Sequence, residues 1–130
     1  MQHQKLGPRA EYRRHEGERI KNSPTLAERF EQLKSLTVDL AYFSPETRSR
    51  SSQVKFTANL VHARSVLRFD CPNPECVEGD FDLSADLANA IASRQTNVAG
   101  ELVCRGWRSK TTVGTMSCGH VLRYTLTVGY

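Results

Sequence analysis

The chain has no run of eighteen apolar residues, and its opening stretch, MQHQKLGPRAEYRRHEGERIKNSP, carries no apolar core of the kind a secretory signal needs. Neither membrane spanning nor secretion is encoded in these features, and the expected location is the cytoplasm. There is no internal repeat and no low-complexity segment. No Ser-His-Asp order, glycine-rich phosphate loop, paired-carboxylate motif or zinc-protease helix can be read, so no enzyme class is demanded and no small-molecule substrate is implied. The apolar share, 38%, is somewhat low for a chain packed throughout. Part of it is expected to lie outside the core.

What is present is one domain's worth of chain with an uneven charge. The 130 residues suffice for a single compact domain and a tail. Eighteen Lys and Arg against fourteen Asp and Glu give a net charge of +4. Residues 1–70 hold thirteen basic and eight acidic side chains, and residues 71–130 hold five and six. The positive excess therefore precedes the first cysteine, which suits a polyanionic partner without requiring one.

Residues 1–22 mix Arg, Glu, His and Gln with almost no large apolar side chains, the composition of a flexible basic arm ordered only by a partner, or of an inert tail. Residues 23–130 are expected to form a single α+β domain. At SPTLAERFEQLKSL, Ser23 with Pro24, or Thr25 with Glu28 three residues on, give two overlapping helix-start signals, and Leu26, Phe30 and Leu33 make one apolar stripe, so a docking helix is expected. From Leu36 the period drops to two: Leu36, Val38, Leu40 and Tyr42, then Val54, Phe56, Ala58 and Leu60 beyond a turn, predict an antiparallel hairpin. SVLRFDC reads as a third short strand. LSADLANAIASRQ reads as a second helix, capped by Asp82 or Ser84, with Leu83, Leu87, Ala90 and Ile91 on one side. GELVCRGW and GHVLRYTLTVGY are strand-like and predict a second hairpin. The expected whole is a small antiparallel sheet of about five strands from two hairpins, with two helices and a basic N-terminal arm.

Four cysteines remain: Cys71 and Cys76 in CPNPEC, Cys104 in LVCRGW and Cys118 in SCGH. Cys71 and Cys76 are separated by four residues, within the spacing of a metal knuckle, and Pro72 and Pro74 pre-bend the loop. In a hairpin centred near Thr111, Cys104 and Cys118 fall opposite each other, with Cα atoms about 4.5 to 5.5 Å apart. The spacing admits one structural Zn2+ on Cys71, Cys76, Cys104 and Cys118, with His120 as a substitute ligand. It also admits two disulfides, against which the reducing compartment weighs, or a catalytic metal, for which no H-x-E and P-C-x-x-C pair is present.

Set among short strands, Cys71, Cys76, Cys104 and Cys118-Gly119-His120 resemble a variant of the zinc-ribbon class over residues 66–130. The first pair is wider than the usual Cys-x-x-Cys, the second is split across a hairpin, and a helix lies between them. The resemblance implies a zinc-stapled β unit, of a class often used to bind nucleic acid or parts of the transcription and translation machinery. Arg105, Arg108 and Lys110 surround Trp107, the only tryptophan, where a base could stack and phosphates pair. A lone strand Trp is also ordinary core. Arg48, Arg50, Lys55, Arg64 and Arg68 form a second basic set, and Arg9, Arg13 and Arg14 a third in the arm. His62 and His120 read as structural. The expected function is a non-enzymatic accessory protein that binds RNA or a ribonucleoprotein, the ribosome included, through these surfaces. The rival expectation is a protein adaptor in a transcription or other multiprotein complex.

Overall fold

The computed structural model describes residues 8–45, 49–73, 76, 79–111 and 114–130, with the backbone alone at residues 8, 9, 107–111 and 114–117. The first element is a helix, α1 (Pro8–Lys21), in the segment whose composition reads as an arm. Its turns are held by pairs of opposite charge three and four residues apart, with Arg14 on Glu11 and Glu18 and Arg19 on Glu16. After it, Thr25 caps α2 (Leu26–Arg29) with both bonds of a capping box. The Leu26 and Ala27 amides are taken by the carbonyls of Ala63 and Leu60, so the start of α2 is tied to the segment before the third strand.

The docking helix expected over this stretch is only one turn long. Leu26, Phe30 and Leu33 are all buried, as the stripe requires. The helix nevertheless ends at Phe30, and the Lys34 amide donates to the Gly129 carbonyl, 2.8 Å away. So short a helix cannot stand on its own hydrogen bonds, and strand pairing takes over the backbone.

That strand is β1 (Ser35–Phe43), which buries Leu36, Val38, Leu40 and Tyr42. It pairs antiparallel with β2 (Arg50–Thr57), while Ala58 and Leu60, expected in that strand, lie beyond it. β2 is an edge strand, however, and Val54 stays exposed despite its place in the alternation. SVLRFDC leaves the main sheet: among the described residues β3 (Arg68–Asp70) pairs only with β4 (Asp80–Asp82), which flanks the other end of the cysteine loop. α3 (Ser84–Ala92) follows, with Leu87, Ala90 and Ile91 buried; its N-cap is Leu83, without the side-chain cap expected of Asp82 or Ser84, although Asp82 accepts from the Ser84 amide.

The second hairpin is longer than expected and changes sheet midway. β5 (Asn97–Val103) runs into β6 (Trp107–Thr111), β7 (Gly114–Ser117) returns, and β8 (Val121–Gly129) pairs with both β5 and β1. The result is a four-stranded antiparallel sheet in the order β2-β1-β8-β5 with two separate two-stranded ribbons, in place of one sheet of about five strands. Among the described residues there are three helices rather than two. None is long and apolar enough to cross a membrane.

One face of the sheet makes the core. Leu122, Leu126 and Val128 of β8 join the inward residues of β1, and Leu26, Phe30, Leu83, Leu87 and Ile91 belong to the same buried cluster. Full burial of each such Leu or Ile contributes about 1.5 to 3 kcal/mol relative to exposure. Tyr130 is tied to α3 and the turn after it by its hydroxyl, which lies 2.8 Å from the Gln95 carbonyl and 3.1 Å from that of Ala90. The other face is polar, with Thr37 beside Thr57, Gln53 donating to Asp39 and Arg123 to Glu101, as an antiparallel sheet wetted on one side should be.

Candidate metal centre

The four cysteines arrive from two places that the fold brings together. Cys71 directly follows β3, and the β3–β4 pairing, closed by Asp70 opposite Asp80 and by the Cys71 amide on the Gly79 carbonyl at 3.2 Å, makes the loop between them a knuckle. Within it the Cys76 amide donates to the Asn73 carbonyl. Pro74 lies outside the described residues. Cys104 directly follows β5, and Cys118 directly follows β7.

Here the register differs from the expected one. The Cys104 amide donates to the His120 carbonyl at 2.7 Å, and the Cys118 amide to the Gly106 carbonyl at 2.8 Å, so Cys104 faces His120 rather than Cys118. The ribbon pairs Thr111 with Gly114, so its centre falls past Thr111, the assumed one. Gly119, at φ 71° in the left-handed region, turns the chain between Cys118 and His120.

All four cysteines are buried to 1–3% exposure and have their Sγ atoms within 4.8 Å of one another. The Cys71 and Cys118 sulfurs are 3.5 Å apart, and those of Cys76 and Cys104 3.6 Å. Four sulfurs placed tetrahedrally about 2.3 Å from a zinc ion would stand about 3.8 Å from each other. The quartet therefore fits such an ion in number, donor type and spacing. Two glycines seal it: a Cβ on Gly79 would sit 2.6 Å from the Cys104 sulfur, and one on Gly106 would sit 2.7 Å from that of Cys76.

The electrostatics suit a cation. The neighbouring thiols, Cys71 foremost, and the Gly106 amide 3.4 Å away bring Cys104 below the ordinary thiol range. The proximity of Cys104, with burial, pushes Cys71 up, and burial together with the neighbouring thiols does the same to Cys76. One buried thiolate thus suppresses ionisation of its neighbours, and a divalent ion removes the penalty by pairing with all of them. Cys118 has polar neighbours of its own: Asn73 Nδ2 donates from 3.7 Å and His120 Nδ1 stands 3.6 Å away. His120 is buried beside Cys118, and the four-sulfur set is complete without it.

The basic residues singled out from sequence are more scattered. Arg13 pairs with Asp70 at 3.6 Å, and Arg14 with Glu11 and Glu18. Arg50 is exposed and donates to Gln53, and Arg105 is exposed next to Cys104. Arg48 lies outside the described residues, as do the side chains of Arg9, Trp107, Arg108 and Lys110.

Arg68, grouped by sequence with the solvent-facing arginines, is a correction. Its side chain is 3% exposed, with Nη1 on Asp70 at 2.7 Å, Nε on Asp80 at 2.8 Å and Glu16 of α1 at 3.6 Å. The Tyr12 ring lies 5.3 Å from the guanidinium, and the Tyr12 hydroxyl donates to Asp80. Arg68 thus holds together two carboxylates that face each other at the mouth of the knuckle and would otherwise repel. Burial works against its charge, and the bonds to Asp70 and Asp80 outweigh burial and raise its pKa. The mirrored segments RFDC and GDFD around the loop are the one sequence signal for this cluster. No family model matches the chain, and neither does any curated protein or solved structure.

Proposed function

We propose that the chain is a non-enzymatic binding protein, stapled by one structural zinc ion of the zinc-ribbon type, and that its partner is RNA or a ribonucleoprotein such as the ribosome. The observation that carries this reading is the closed sulfur quartet. Cys71, Cys76, Cys104 and Cys118 would hold the ion, and four thiolates fill a tetrahedral shell, whereas catalytic zinc keeps one position open for water or substrate. Bound there, the ion supplies folding energy rather than chemistry. Two β ribbons each delivering a pair of cysteines support the ribbon reading.

The staple also anchors the ribbon that emerges between Cys104 and Cys118. That segment holds Arg105, Trp107, Arg108 and Lys110, the residue types that pair with phosphate and stack on unpaired bases. A protein adaptor is the second reading, favoured by the engagement of Arg13 and Arg14 in ion pairs within the chain. Tagged pull-down separates the two. RNA-dependent capture, lost on nuclease treatment and falling steeply with salt, supports the first reading. Capture of a protein that survives nuclease overturns it in favour of the adaptor.

A further inference from the structure

The helix α1 is held to the fold by charge. Between Pro8 and Lys21 its only large apolar residues are Tyr12 and Ile20. Its polar contacts with the rest of the chain converge on the knuckle hairpin: Arg13 on Asp70 at 3.6 Å, Arg19 on Asp82 at 3.5 Å, the Tyr12 hydroxyl on Asp80, and Glu16 on Arg68. The hairpin suits a basic helix, since residues 70–82 contain five carboxylates and no Lys or Arg. The Arg13 and Arg19 side chains are nonetheless 42% and 48% exposed, so these pairs are partly solvated and screened by salt.

A guanidinium that donates to a half-solvated carboxylate donates to a phosphate at least as well. We infer that α1 is a charge latch on the acidic β3–β4 hairpin, and that single-stranded RNA opens it by exchanging the Asp70 and Asp82 carboxylates on Arg13 and Arg19 for phosphates. The inference rests on the RNA reading for the identity of the polyanion. Docked, the latch withholds two arginines from a partner, and the hairpin acids act as an internal competitor for them.

The test uses the zinc-loaded full chain and a fluorescent oligouridylate of about ten nucleotides at low salt. Asp70→Asn with Asp82→Asn is compared with Glu31→Gln with Glu101→Gln, which changes net charge equally but touches neither arginine. Affinity is expected to rise about tenfold in the first pair and less than about threefold in the second. Adding Arg13→Gln and Arg19→Gln to the first pair should abolish its gain. If Asp70→Asn next to Cys71 loses zinc, Asp82→Asn alone against Glu31→Gln carries the comparison, with an expected gain of about threefold. Equal gains in the two pairs, or a gain that persists without Arg13 and Arg19, overturn the latch while RNA binding stands. No oligouridylate binding by any form overturns the RNA reading and the latch together.

Discussion

A methyl group on Gly79 would fall among the sulfurs of Cys76 and Cys104, and one on Gly106 would meet both the Cys76 sulfur and the Gly79 backbone. Neither sulfur can give way without moving a cysteine of the quartet. On the proposed zinc site, Gly79→Ala and Gly106→Ala are therefore each expected to lower zinc content below one ion per chain and to reduce the thermal midpoint, as metal analysis and calorimetry would register. Gly17 is the contrast. It lies within α1 with nothing within 4 Å of an added Cβ, so Gly17→Ala should stabilise that helix by about 0.5 to 1 kcal/mol, read as slower amide exchange over residues 8–21. The cysteines announce themselves by type and spacing. The two sealing glycines do not, because what makes them necessary is a sulfur brought in from another strand. Arg68 is hidden for the same reason, since its partners come from both sides of the cysteine loop and from α1.

Among the elements, α2 is the most local. Its capping box needs only residues 25 to 28, and the Thr25 hydroxyl accepts from the Glu28 amide at 3.2 Å. Thr25→Ala should cost about 1 kcal/mol in chemical denaturation. A larger loss would mean that the bridge between Thr25 and Arg64 is also broken. α1 makes a pH-dependent prediction through Glu16. Burial works to raise the Glu16 carboxyl, but the Arg19 hydrogen bond and the charges of Arg19 and Arg68 outweigh it and bring the pKa below the ordinary glutamate value. A carboxyl depressed in the folded state contributes stability above its unfolded pKa and loses it as pH falls through the folded one. The stability gap between the native chain and Glu16→Gln should thus be constant near neutrality and close on acidification below the ordinary glutamate range. A gap that widens on acidification would contradict this arrangement. The helix itself was hard to read from composition, since few of its residues are apolar and its support comes from charges elsewhere in the chain.

For the molecule as a whole, the core and the metal centre share residues. Cys71, Cys76, Cys104 and Cys118 belong to the same buried cluster as Phe81, Leu122 and Tyr42, and the rings of Tyr42 and Phe81 lie 5.8 Å apart. Stripping the metal with a chelator, or replacing Cys104 with Ser, should therefore destabilise more than the knuckle. We expect loss of dispersed amide resonances from residue 66 onward and a lower thermal midpoint. An unchanged midpoint in Cys104→Ser would show that the sulfurs hold no structural ion. Leu126 offers the comparison without metal: as a fully buried β8 residue, its change to Ala should cost about 2 to 5 kcal/mol and, on the proposed zinc site, leave zinc content at one.

By itself the sequence determined the alternation of β1 and β8, the capping box at Thr25, the buried stripe of Leu26, Phe30 and Leu33, and four cysteines suited to one metal ion. These are written in periods and caps that act over a few residues, so local pattern suffices. Tertiary structure alone decided that β3 leaves the main sheet, that Cys104 faces His120, that glycine must seal the sulfurs, and that Arg68 is buried under α1. Each of those depends on which distant segments meet. A register set one residue differently at the ribbon's turn is enough to change a cysteine's partner, and no local preference specifies it.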